Sequence, residues 1–482
     1  MPLTRRRSLA VLLPLCAPLL ATCAVNPATG GHELNLVSES QEISMGREAA
    51  ASVPKQTPYY ADAAVQSYVR DLGLKLAAHS ERPGLPWEFH VVDDPAVNAF
   101  ALPGGFIFVT RGLMTDMNSE AELASVMGHE IGHVTARHSA QQITRQQIAQ
   151  VGLVAGSLAS STFAQYAGAA VQGLQLLFLK FSREDESQAD MLGFRYALRS
   201  GYDVRAMREV FVTLDGVTRS SGGARLPEWQ STHPAPVNRI AATDARIAAT
   251  TVDYDSLYRG RDVYLRRIDG MIYGDNPRDG YFTGATFYHP DLRFTFTFPS
   301  GWKTANQASG VTGVSAGQDA MIQLSLAEGS PEQAAQKFFG SQGVQSAGAG
   351  SERINGLPAV AGDFAAQGDQ TTFRGRAAFL NLGGRTYSLV GYSSTARWPQ
   401  YADAVRGSFG SFRELTDPKA LGVQPVRLRV EKLPRAMTLR DFNRASPSVV
   451  PLAELSLMNQ VDSLETLPAG QLVKRVVGGG GS

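Results

Sequence analysis

A chain of 482 residues with 43% apolar side chains can bury several cores, and at the usual domain size it holds about three. The formal net charge is only +1, with lysine and arginine spread along the chain, so there is no basic footprint for nucleic acid and the expected partners are proteins or envelope polymers. The two cysteines, Cys16 and Cys23, both lie near the N-terminus, so no disulfide framework supports the rest and stability must come from packing and metal.

Arg5, Arg6 and Arg7 precede an apolar run from Leu9 to Leu20 that is too short for a comfortable bilayer span, which reads as an export signal over residues 1–24. Leu20-Ala21-Thr22-Cys23 resembles a bacterial lipobox, in which the cysteine becomes the lipidated first residue, although Thr22 departs from the usual small residue. Two outcomes stay open: a lipoprotein anchored to a membrane through Cys23, or a soluble periplasmic protein cut near Ala24. Either way the protein is expected to be exported.

Apolar residues recur at helical spacing from Glu39 to Ala78, predicting two amphipathic helices separated by the break at Pro54 to Pro58. Trp87 to Val92 alternates as a strand, and Phe106 to Thr110 is a second strand after the Leu102-Pro103-Gly104-Gly105 turn. Ser119 followed by Glu122 forms a capping box, after which Leu123, Val126, Met127, Ile131 and Val134 line one helix face. Gln146 to Leu179 carries no charged residue and reads as buried helices against that helix, with a membrane-touching or gating hairpin as the alternative. A helical block from Ser182 to Leu214 and the segment Ser231 to Ala248 close this half.

From Tyr254 onward glycine turns and short alternating runs take over, as in Phe294 to Phe298 and Arg385 to Val390, with helices at Pro331 to Phe339 and Trp398 to Phe409. The expected fold class is α+β multidomain. A mainly helical domain with a small sheet spans 25–250, an α+β domain 251–415, and a small module 416–477, with residues 478–482 a flexible tail.

The chemistry concentrates in His129-Glu130-Ile131-Gly132-His133. Residues four apart share a helix face, so two imidazoles can bind one ion while Glu130 reaches its water as general base. A catalytic zinc has three protein ligands and an open position, so a third must come from elsewhere. Glu186 is the candidate: it shares a helix face with Asp190, so one can bind metal while the other holds a ligand imidazole. Glu184 and Asp185 follow Ser182 in a first turn, where carboxylates complement the helix dipole. His138 lies five residues beyond His133, turned away from the ligand face, and reads as structural. His32, His79, His90 and His289 read as ordinary polar residues.

The set His129-Glu130-x-x-His133, Arg183-x-x-Glu186-x-x-Ala189-Asp190 and Ser231-Thr232-His233-Pro234 with Arg239, joined by Asn98 to Gly105, resembles the family-48 gluzincin peptidases, the HtpX- and BepA-like enzymes, over Leu36 to Ala248. The resemblance implies a zincin-like fold, one zinc per chain, and endopeptidase activity on envelope or misfolded proteins. It implies His129, His133 and Glu186 as ligands, Glu130 as base and Asp190 as partner of a ligand histidine. It also brings His233 to the metal, either as a ligand in a resting state or as an oxyanion stabiliser, with Arg239 supporting it. Asn98 is expected to border the cleft, where an extended substrate adds as a strand.

Residues 281–412 faintly resemble PsbP- or Mog-like domains, and Val426 to Val477 resembles a degenerate LysM module lacking the usual Gly-Asp-Thr start, which would supply a peptidoglycan or protein partner. The competing reading is an envelope scaffold or holdase with structural zinc.

Overall fold

The structure, a computed structural model, describes residues 23–154, 180–220, 233, 238–367 and 372–478. The leader and most of the uncharged stretch lie outside the described residues, and so do the readings made of them. Among the described residues, no helix is long and apolar enough to cross a membrane.

The fold is α+β, with a helical first half around a small sheet. β1 (Cys23–Val25) and β2 (His32–Leu34) make a hairpin. Helix α1 (Glu39–Ala50) starts at Ser38, whose hydroxyl accepts from Gln41 N while the Gln41 side chain reaches back, so two otherwise orphaned amides are satisfied. The short α2 (Val53–Gln56) fills the proline break, and α3 (Ala63–Ala77) is capped by Asp62. Strands β3 (Glu88–Val92), β4 (Ala99–Leu102) and β5 (Phe106–Thr110) form a sheet in the order β3-β5-β4, β3 parallel and β4 antiparallel to β5. Gly104 and Gly105 turn between β4 and β5 at φ +80° and +109°, a region open chiefly to glycine. β4 was not legible as a strand, and it is an edge strand.

After α4 (Arg111–Asp116) comes α5 (Glu120–Thr135), the helix of the His-Glu-x-x-His motif, in which every residue from Ala121 to Thr135 is buried. An apolar stripe was expected; a helix enclosed on all sides is what its Ala- and Gly-rich composition permits. Ser119 caps it by accepting from Glu122 N, but Glu122 turns to Asn118 N at 2.9 Å instead of back to Ser119 N. α6 (His138–Val154), α7 (Arg183–Arg199), α8 (Arg205–Ser220), α9 (Arg239–Ala249) and α10 (Arg261–Ile268) complete this half. α5 and α7 cross where Gly128 and Gly132 face Gly193 and Ala189, so backbone meets backbone.

The second half holds two antiparallel sheets. β6 (Tyr281–Thr283), β7 (Thr286–His289) and β8 (Phe294–Thr297) join β16 (Arg413–Glu414) in one. β9 (Lys303–Gln307), β10 (Gly310–Val314), β11 (Ala320–Ala327), β12 (Val344–Ile354), β13 (Leu357–Gln367), β14 (Thr372–Leu382) and β15 (Arg385–Ser394) form the other, in the order β12-β13-β14-β15-β11-β10-β9. Alternate residues of β14 feed opposite faces. Ala378 and Leu380 join the core containing α12 (Trp398–Gly410), whereas Ala377 and Phe379 join that of α11 (Pro331–Phe339).

The chain then passes α13 (Pro418–Leu421) into β17 (Val426–Lys432), β18 (Met437–Thr438), α14 (Leu439–Ala445), α15 (Leu452–Asn459), β19 (Thr466–Leu467) and β20 (Leu472–Gly478). Leu428, Phe442, Leu455, Val473 and Val476 share one apolar core with α3, α5, α7, α8 and α10. Lys474 in β20 is fully buried and donates at 2.9 Å to the carbonyls of both Thr115 and Met117, just before the metal-motif helix.

Candidate metal centre

His129 and His133, one turn apart on α5, point their Nε2 atoms to within 3.0 Å of each other. Glu186, in the first turn of α7, places Oε2 3.5 Å from His129 Nε2 and Oε1 3.5 Å from His133 Nε2. His233 brings Nδ1 to 2.8 Å from Glu186 Oε1 and 3.5 Å from His129 Nε2. All four side chains are buried, and one ligand atom from each lies within 4.8 Å of the others.

Hydrogen bonding fixes which atoms carry protons. His129 Nδ1 lies 2.9 Å from Asp190 Oδ1, so that nitrogen donates and Nε2 keeps its lone pair. His138 Nε2 donates to Gln188 Oε1 at 2.8 Å, which leaves His138 Nδ1 to accept from His133 Nδ1 at 2.9 Å. His133 Nε2 is then also an unprotonated lone pair. Two lone pairs and a carboxylate facing one another in a dry site repel unless a cation joins them. Zinc bonds of about 2.0–2.1 Å in tetrahedral array put donor atoms about 3.3–3.5 Å apart, close to the spacings found. The donor set therefore fits zinc.

The electrostatics agree. Burial pushes His129 down to about 3, against the raising bond to Asp190, so the imidazole is neutral at pH 7. Burial alone would raise Glu186, but His233 and the two α5 histidines hold it well below the ordinary carboxylate range. Burial likewise opposes ionisation of Asp190, yet the Arg239 guanidinium and His129 bring it down to about 2. Arg239, the first residue of α9, donates through Nε to Asp190 Oδ2 at 2.9 Å and stands 3.6 Å from Glu186 Oε2.

Glu130 is different. It is fully buried, and neither oxygen has a partner in hydrogen-bond geometry among the described residues. Burial raises its carboxyl to about 7, an effect that His133, Arg239 and the Ala101 amide of β4 offset only in part. Its Oε1 is 3.7 Å from His233 Nε2.

The structure thus brings together His129, His133, Glu186, His233, Glu130, Asp190 and Arg239. Asn98 stands outside this group, at the head of β4, bonded through its backbone to Thr110. Sequence reasoning missed the part played by His138, which sits beneath His133 rather than away from it. It also missed Phe181, whose ring stacks on His133 at 4.1 Å between centroids. The sequence held a signal for neither beyond their nearness to the motifs.

Peptidase family M48 matches residues 63–247. The chain is 31% identical over 261 residues to the Beta-barrel assembly-enhancing protease of Escherichia coli (strain K12), covering 52% of this chain and 53% of that one. It is 37% identical over 204 residues to the Mitochondrial metalloendopeptidase OMA1 of Arabidopsis thaliana, covering 41% and 38%. The chain thus spans about half the length, or less, of these curated relatives. Cyanobacterial PsbP from Synechocystis sp. PCC 6803 superimposes on 28% of this chain and 94% of its own at 14% identity and a TM-score of 0.24, too slight a likeness to build on. The four residues of the buried donor set, His129, His133, Glu186 and His233, all lie inside the segment that matches peptidase family M48.

Proposed function

We propose that the protein is an exported zinc metalloendopeptidase that cleaves envelope or misfolded proteins with one zinc per chain. A single observation carries the reading. The lone pairs of His129 and His133 converge on the Glu186 carboxylate while an unpartnered, up-shifted Glu130 carboxyl stands beside them.

His129, His133 and Glu186 would hold the metal. When bound, zinc supplies Lewis-acid chemistry, polarising the scissile carbonyl and acidifying water. Glu130, poised near neutrality, takes the proton of the attacking water and returns it to the leaving amine, with no covalent intermediate. Asp190 and Arg239 keep His129 in the tautomer that presents Nε2, and His138 does the same for His133. An extended substrate adds along the free edge of β4, with Asn98 at its head, so that backbone amides set the register next to Glu130. His233, whose Nδ1 lies 2.8 Å from Glu186 Oε1, would stand beside the metal, either as a further ligand in a resting state or as a stabiliser of the oxyanion. Residues 416–477 act as a docking module for peptidoglycan or envelope proteins, and membrane attachment through Cys23 would hold the enzyme near them.

The second reading, a holdase with structural zinc, draws on His233, because four protein ligands close a site as structural zinc sites are closed. The buried, unpaired Glu130 speaks against it, since a structural site has no use for so costly a group. Cleavage of unfolded casein separates the two. Wild type should cut and Glu130→Gln should not, with zinc content equal by metal analysis. Near-native cleavage by the variant would refute the assignment.

A further inference from the structure

The chain reverses direction immediately after the metal-motif helix, and a buried charge cluster holds the reversal. α5 stops at Thr135, and Arg137 turns the chain at φ +60°, a left-handed conformation that a residue with a Cβ adopts only where its surroundings impose it. α6 begins at the next residue, His138, whose Nδ1 lies 2.9 Å from His133 Nδ1. The place of that imidazole beneath His133, and with it the hydrogen bond that fixes the His133 tautomer, follows from the backbone at position 137.

The tether comes from α1. Glu42 is buried, and its carboxylate accepts from two arginines at once. Arg137 Nε donates to Glu42 Oε2 at 2.9 Å, while Arg137 Nη2 donates to the Val37 carbonyl at 2.7 Å. Arg82 donates through Nη1 and Nη2 to the two Glu42 oxygens at 3.0 and 3.1 Å, and through Nη1 also to the Val134 carbonyl in the last turn of α5 at 2.9 Å. One carboxylate thus ties the end of α5 to the residue that reverses the chain. A glycine at 137 would make the same turn without strain or tether.

We infer that Glu42 and Arg137 are positioning residues of the metal centre: they hold the left-handed turn that sets His138 under His133, and so keep His133 Nε2 facing Glu186. The inference rests on the proposed zinc site of His129, His133 and Glu186. It extends the support of that site to α1, which lies outside the segment matched to the peptidase family.

The test is zinc affinity by chelator competition on the full chain, with thermal unfolding of each zinc-free variant as the measure of folding. Arg137→Ala removes the tether but keeps the Cβ that disfavours the turn, so zinc should bind about tenfold or more weaker. Arg137→Gly loses the same hydrogen bonds yet adopts the turn freely, so its affinity should stay within about threefold of wild type. A role in stability alone would lower the unfolding temperature of both and separate neither in zinc affinity. Glu42→Gln, whose amide cannot accept from both arginines, should weaken zinc about tenfold, and adding Arg137→Gly should bring affinity back to within about threefold of wild type. That pair carries the comparison if Arg137→Ala does not fold. Cobalt(II)-loaded proteins give a second reading: the visible absorption bands should shift in Arg137→Ala and Glu42→Gln and coincide with wild type in Arg137→Gly. Wild-type affinity in folded Arg137→Ala or Glu42→Gln, or equal losses in Arg137→Ala and Arg137→Gly, would overturn the inference. A wild type that binds no zinc would instead sink the metal centre itself, a result that no difference among the variants can mimic.

Discussion

Gly193→Ala tests how the metal centre is assembled, because it changes one methyl group at the crossing of the two helices that supply the ligands. A Cβ at Gly193 would lie 2.6 Å from the His129 backbone nitrogen and 2.9 Å from the Gly128 carbonyl carbon. That is about 1 Å inside normal van der Waals separation, and the opposing atoms are backbone, which cannot rotate away. Alanine gains about 1 kcal/mol over glycine in a helix interior, but overpacking a rigid contact costs about 1–3 kcal/mol, so the variant should be destabilised on balance. The larger effect falls on the metal. Moving α7 away from α5 carries Asp190, one turn upstream and 2.9 Å from His129 Nδ1, beyond hydrogen-bond distance, and takes Glu186 with it. Weakening a ligand's outer support typically lowers metal affinity about 10- to 100-fold. Zinc affinity by chelator competition, with thermal unfolding measured with and without zinc, should show both losses. A Gly193→Ala variant that binds zinc as tightly as wild type would refute the claim that this backbone contact sets the ligand geometry.

His138→Phe keeps a ring beside Phe181 but removes the acceptor for His133 Nδ1, so zinc affinity should fall about tenfold or more with little change in fold; unchanged affinity in the same chelator assay would contradict the tautomer argument. His233→Ala should raise casein cleavage if His233 fills the fourth position at rest, whereas a fall would point to oxyanion stabilisation. Burial depresses Lys474 to about 7, so between about pH 7 and 10 the unfolded chain binds more protons and stability should rise with pH, by at most about 1.4 kcal/mol per unit. Below about 7 the full penalty is present. Lys474→Met should lose this dependence, and parallel stability curves from unfolding at pH 7, 8 and 9 would refute it.

The metal ligands were legible because they obey helix geometry. His129 and His133 are four apart on α5, and Glu186 and Asp190 are four apart on α7, so each pair could be placed on a face without knowing how the helices cross. His138 was misjudged for the converse reason: counting five residues on from His133 assumes that the helix continues. It stops at Thr135, and Arg137 adopts φ +60°, a left-handed turn that folds the chain back beneath His133. Nothing at position 137 announces this, since the usual signal there is glycine. The turn is held by distant groups: Arg137 Nε donates to Glu42 Oε2 at 2.9 Å and Nη2 to the Val37 carbonyl at 2.7 Å. β4 was hidden differently. Its four residues are too few and too uniformly apolar to show alternation, and only pairing with β5 makes them a strand.

The C-terminal segment shows why local patterns understate how far the metal helix depends on the rest of the chain. In Leu472-Val473-Lys474-Arg475-Val476 the lysine of β20 is fully buried. Its side-chain nitrogen satisfies the carbonyls of Thr115, in the last turn of α4, and Met117, just after it. Asn118 donates to the Met458 carbonyl at 3.0 Å, and Gln460 donates to Glu122 in the first turn of α5 at 2.8 Å. The start of the metal-binding helix is therefore held by groups more than 300 residues later in sequence. A buried lysine is tolerated there because the last turn of α4 leaves carbonyls that need a donor, and an apolar residue in its place would leave them unpaired. The same contacts carry any displacement of the C-terminal segment directly to the N-terminal end of the helix that bears His129, Glu130 and His133.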